Sequence, residues 1–140
     1  MTPEQTKLVQ DSFMLLKRCP RDPAELFYKR LFEIAPQVRP LFPDNMDEQK
    51  IKFFMMLNST ILNLKNLDIL VPSIKAMGRR HVGYGVTVDQ FGAVKNAFFW
   101  TLEEALGEWY SADVRDAWIA TYTALEGTMK AGMESEELSS

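Results

Sequence analysis

A chain of 140 residues, 46% hydrophobic and 25% charged, has the balance of one ordinary globular domain. A net charge of −3 and a pI near 5.2 speak against a nucleic-acid surface, and the basic pairs Lys17-Arg18 and Arg79-Arg80 read as solvated helix faces. The lone Cys19 excludes an internal disulfide, no apolar run is long enough to span a bilayer, and the polar start Met1-Thr2-Pro3-Glu4-Gln5 lacks a signal segment, so a cytoplasmic location is expected.

The punctuation predicts an all-helical chain. Thr2-Pro3-Glu4-Gln5 is a helix start, with a threonine cap, proline at the first position and Gln5 completing a capping box. Val9, Phe13 and Leu16 form its apolar stripe, and Cys19-Pro20 stops it. Asp22-Pro23-Ala24-Glu25 repeats the signal for a second helix carrying Phe27, Tyr28, Leu31 and Phe32. Pro36, Pro40 and Pro43 allow only a short turn ending at Leu41-Phe42. A longer helix should begin near Met46-Asp47, with Gln49, Phe53, Leu57, Thr60 and Leu64 at helical spacing, and break at Asn66-Leu67-Asp68. Pro72 fits the opening turn of the next helix, which Gly83 and Gly85 close. Two long helices follow. One carries Phe91, Val94, Phe98, Leu102 and Ala105 and ends at Gly107; the other starts at a Ser111 cap and presents Val114, Trp118, Tyr122, Leu125 and Met129. From Ser111 to Met133 the last would be about 34 Å long at 1.5 Å per residue. An acidic stretch, 134–140, is expected to fray beyond a core of about residues 4–133, all within a single domain spanning 1–140.

His81 is the chain's only histidine. Leu70, Ile74 and Met77 precede it on one helical face, so it ends an apolar stripe. An imidazole facing an apolar slot can serve a haem iron as an axial ligand, and a core histidine bonded to a backbone carbonyl would look the same. One histidine and one cysteine cannot supply the ligands zinc prefers, no nucleophile motif flanks a strand and turn, and no glycine-rich phosphate loop occurs.

Several motifs in order resemble the globins, specifically bacterial single-domain globins and the globin domain of flavohaemoglobins, with neuroglobin-like sequences further off. Phe27-Tyr28, Leu31-Phe32 and Ala35-Pro36 are similar to the family's second helix with its distal tyrosine. Leu41-Phe42 is similar to the corner that sets a phenylalanine against the haem, and Gln49 stands where the family has its distal histidine or glutamine. Asn66-Leu67 and Gly78-Arg79-Arg80-His81 match the approach to the proximal histidine; Asp116-Ala117-Trp118 and Tyr122 match the last helix.

The resemblance implies a 3-over-3 helical sandwich around haem b, with His81 as the iron ligand. Phe42, Phe53, Leu57, Met77, Phe91 and Val94 would supply apolar walls, Lys52 and Arg80 donors for the propionates, and Tyr84 and Val86 further contacts. Tyr28 and Gln49 would stand on the distal side, each able to donate a hydrogen bond to dioxygen, which implies a five-coordinate iron and high oxygen affinity. With no second histidine, bis-histidine coordination within one chain is impossible. The flavohaemoglobin proximal tyrosine and glutamate are replaced by Phe91 and Met133, with Glu134 next door, and a reductase domain after residue 140 is not expected. Reversible binding of dioxygen, carbon monoxide or nitric oxide is therefore expected. Nitric oxide dioxygenation with a separate reductase, gas sensing and a haem-free regulatory domain are the other readings. No nucleic-acid or membrane partner is expected, and the chain should be a monomer or weak homodimer.

Overall fold

The computed structural model describes residues 2–66, 71–72, 74–75 and 91–139, with side chains throughout except at Phe91 and 129–139. Among the described residues there is helix and turn but no strand.

Helix α1 (Pro3–Lys17) opens on the expected capping box: Gln5 N donates to Thr2 Oγ1 at 3.1 Å, and Thr2 N donates to Gln5 Oε1 at 3.0 Å. Asp22 caps α2 (Pro23–Ile34) by accepting from Ala24 N at 3.0 Å. A 3₁₀ segment, Pro36–Leu41, leads to α3 (Asp47–Leu62), whose first turn is set by Asn45 Oδ1 accepting from Asp47 N at 2.9 Å. A further 3₁₀ turn, Leu64–Asn66, follows α3. Helix α4 (Phe91–Leu106) ends at Gly107, whose φ of 54° is the left-handed value a glycine adopts without strain. Ser111 Oγ then accepts from Val114 N at 3.2 Å to start α5 (Ala112–Ser139).

Helix α5 runs past the Met133 end expected from sequence. Nothing after Gly132 breaks a helix, and glutamates at 134, 136 and 137 are good helix formers.

Two helix pairs carry the architecture: α1 lies along α5 and α2 along α4, with α3 against both α1 and α2. Their shared core holds Val9, Phe13, Leu16, Phe27, Leu31, Ile61, Phe98, Leu102 and Trp118. Two polar ties cross it. Trp118 Nε1 donates to Ser12 Oγ at 2.8 Å between α5 and α1, and Gln10 Nε2 donates to the Ile61 carbonyl at 3.0 Å between α1 and α3. The crossing of α2 and α3 brings Tyr28 and Gln49 face to face.

Candidate functional site

The site begins with aromatic packing between α2 and α3. Phe27 stacks on Phe53, ring centroids 4.6 Å apart and planes 14° from parallel, which fixes the spacing of the two helices. Tyr28 meets Phe53 and Phe42 edge-on, each at 5.6 Å, and Phe42 meets Phe32 at 5.5 Å. Tyr28 is buried at 4% exposure, whereas Phe42 and Phe53 are only partly covered, and Leu57 is buried one turn beyond Phe53.

Onto this floor α3 lowers one polar side chain. Gln49 Nε2 donates to the Tyr28 hydroxyl oxygen at 3.1 Å. That bond occupies a lone pair of the phenol and leaves its hydrogen without an acceptor among the described residues. Accepting one bond polarises the hydroxyl toward donating another. Burial pushes the Tyr28 hydroxyl above its ordinary pKa of 10, and the Gln49 bond offsets this only in part, so the phenol is neutral at physiological pH.

The corner carrying Phe42 is held by a residue that sequence reasoning missed. Arg39 donates from Nη1 to the carbonyls of Phe42 at 3.3 Å and Pro43 at 3.0 Å, and from Nη2 to Asp44 at 3.2 Å. Its guanidinium also lies over the Phe32 ring, 5.0 Å from the centroid. One rigid fork thus ties three successive carbonyls to the aromatic cluster. The only hint in the sequence was an arginine among closely spaced prolines.

Outside Gln49 a hollow of about 370 Å³ opens to solvent, lined by Pro43, Asn45, Asp47, Glu48, Gln49 and Lys52. Lys52 Nζ lies 3.2 Å from Glu48 Oε1 on the helix surface, both side chains well exposed. A propionate would have to compete with Glu48 for it.

Of the residues expected to line the site, Tyr28, Phe42, Gln49, Phe53 and Leu57 come together. Val94 lies partly buried on α4. Phe91 opens α4, but its side chain falls outside the described residues, as do His81, Met77, Arg80, Tyr84 and Val86 entirely.

Residues 25–129 match the family model described as Globin. The chain is 31% identical, over 97% of its length and 96% of the relative's, to the anaerobic nitrite reductase AHB2 of Arabidopsis thaliana.

The chain belongs to the globin family.

Solved structures share the globin fold at lower identity. A hexacoordinated haem protein from an anhydrobiotic tardigrade superposes with a TM-score of 0.86 at 16% identity, covering 96% of each chain. An engineered carbene transferase derived from a candidate nitric oxide dioxygenase of Rhodothermus marinus gives 0.85 at 21%, covering 96% of this globin and 94% of that chain. Globins bind haem, and the wall described here fits one face of that group. A flat, largely apolar macrocycle needs incompletely covered ring surfaces, which Phe42 and Phe53 offer, with polar donors confined to one spot, which Tyr28 and Gln49 provide.

Proposed function

We propose that this globin uses haem b to bind dioxygen and other diatomic gases reversibly, with His81 as the proximal ligand and Tyr28 and Gln49 stabilising the ligand on the distal side. When bound, the haem supplies an iron with one position open to a gas. The chain's own residues do the rest. Phe42, Phe53 and Leu57 exclude water, the Tyr28 hydroxyl donates to a polar ligand, and Gln49 orients that hydroxyl.

The observation that carries the reading is the 3.1 Å bond from Gln49 to Tyr28. It supports a distal wall carrying a neutral phenol and a carboxamide, both poor iron ligands, and so favours a five-coordinate resting iron over the hexacoordination named for the tardigrade protein. It also favours a polar adduct over an apolar one, hence slow oxygen release.

A second reading is enzymatic. The name of the Rhodothermus-derived neighbour favours nitric oxide turnover, for which this chain would need a separate reductase, and that of the Arabidopsis relative favours nitrite reduction.

Absorption spectra of the purified protein test the main reading, with and without dithionite and carbon monoxide. A haem b spectrum, five-coordinate when ferrous and shifted by carbon monoxide, is expected, and His81→Ala should lose most of the haem. Tight haem with an unchanged ferrous spectrum in His81→Ala, or a low-spin ferrous wild type, overturns it. Sustained nitric oxide or nitrite consumption with a supplied reductase, lost in Tyr28→Phe, would favour the enzyme.

A further inference from the structure

We propose that Asp47, Glu48 and Lys52 form an electrostatic filter that admits uncharged diatomic ligands and holds back small anions. The proposal deepens the reading above and rests on it, since it takes the pocket behind Gln49 as the ligand side of a bound haem.

The argument starts from the helix end. The first turn of α3 faces the hollow outside Gln49. A helix N-terminus carries partial positive charge and unpaired amide donors, so by default such a mouth attracts anions. This one is built the other way. Asn45 Oδ1 already takes the Asp47 amide at 2.9 Å. Asp47 and Glu48 put two carboxylates on the rim against the single ammonium of Lys52, a net charge of −1. Lys52 is itself engaged by Glu48 at 3.2 Å. An exposed pair of this kind adds little to stability, so its effect is felt mainly in the field over the hollow.

Gln49 belongs to both compartments: it lines the hollow, and its amide reaches the Tyr28 hydroxyl inside. A ligand that enters past this side chain from the hollow crosses the charged rim. An uncharged gas feels no net force there, whereas a monovalent anion is opposed. A propionate that draws Lys52 from Glu48 removes the rim's one cation and leaves the sign of the field unchanged.

The experiment uses the haem-loaded protein and reads bimolecular association rates at pH 7. Azide and nitrite on the ferric form are the anionic probes, and carbon monoxide on the ferrous form is the neutral one. Asp47→Asn and Glu48→Gln each bring the rim to zero, and the double variant makes it positive. Each unit of charge should raise the anion rates about two- to sixfold at low salt. That gain should fade as ionic strength rises from about 0.01 M to about 1 M and the screening length shrinks from about 30 Å to about 3 Å. Carbon monoxide rates should stay within twofold. Anion rates that ignore the substitutions in a protein that binds carbon monoxide overturn the filter alone. Carbon monoxide rates that move in step overturn it too, because the substitutions would then act by steric gating. No haem spectrum on adding haem overturns both the filter and the reading beneath it.

Discussion

Trp118 and Ser12 lie 106 positions apart and meet in the middle of the core, the indole N–H donating to the serine hydroxyl at 2.8 Å with both residues buried. Ser12 Oγ in turn lies 2.7 Å from the Leu8 carbonyl and 3.0 Å from that of Val9, so the first and last long helices are joined through one hydroxyl. Ser12→Ala should strand the indole N–H and lower stability by about 1–3 kcal/mol. Trp118→Phe removes the donor with it, and the double variant should fall short of the sum. Urea unfolding followed by circular dichroism measures all three; additive losses would mean the bond contributes nothing of its own.

In Tyr28→Phe, the oxygen off-rate should rise roughly ten- to a hundredfold, equivalent to about 1.4–2.8 kcal/mol. Gln49→Leu should act in the same direction more mildly, and the double variant should be non-additive, because the two side chains share one bond. Carbon monoxide, the less polar adduct, should respond little. Equal responses from both gases would show that Tyr28 acts by bulk.

Removing Arg39 tests the corner. Arg39→Ala frees the carbonyls of Phe42, Pro43 and Asp44 and uncovers one face of Phe32. Stability should drop by about 1 kcal/mol, since these acceptors are partly hydrated, and haem should transfer to a scavenger several-fold faster. Arg39→Lys should not rescue, because an ammonium cannot hold three carbonyls in a planar fork. Full rescue by lysine would reduce the role to charge.

Alkaline pH offers a fourth check. Burial raises the hydroxyls of Tyr28 and Tyr122 above the ordinary value of 10, and that of Tyr110 as well, where Arg115 opposes it and Glu103 and Asp116 add to it. Each folded-state phenol holds its proton more tightly than the unfolded one. The stabilisation is therefore intact below pH 10 and is lost as pH climbs through the folded-state values. For buried Tyr28 the slope is at most about 1.4 kcal/mol per pH unit. Tyrosinate absorbance should lag behind free tyrosine and then rise with unfolding; titration at the ordinary value without unfolding would contradict the buried geometry. Gln49→Leu, which removes the one bond lowering the Tyr28 value, should delay that residue further.

Local chemistry was the legible part of this chain. Thr2 with Gln5, Asp22, Ser111 and Gly107 act over a few residues, and each did in three dimensions what its neighbours in sequence implied. Tyr28 and Gln49 were placed by resemblance to a family, but the bond between them depends on the α2–α3 crossing, which no local pattern encodes. Ser12 gave no signal of its own in the sequence, because its partner Trp118 lies 106 positions away. Arg39 was missed for another reason. Its acceptors are backbone carbonyls, which every residue has, so no side-chain pattern announces them. Lys52 was expected to face a propionate, and its nearest partner on the same helix, Glu48, went unnoticed.

The Arg39 fork also bears on the order of assembly. The corner between Pro36 and Asp44 contains Pro40 and Pro43, so the unfolded chain there has fewer conformations to lose, and the guanidinium fixes those that remain. The rings of Phe32 and Phe42 are held by contacts internal to α2 and the corner. If this corner is half of the proposed haem pocket, such internal contacts place its ordering entropy in the folding of the chain, leaving less to be lost when haem docks. Calorimetry of haem uptake by the apoprotein should accordingly register almost no ordering of α2 or this corner.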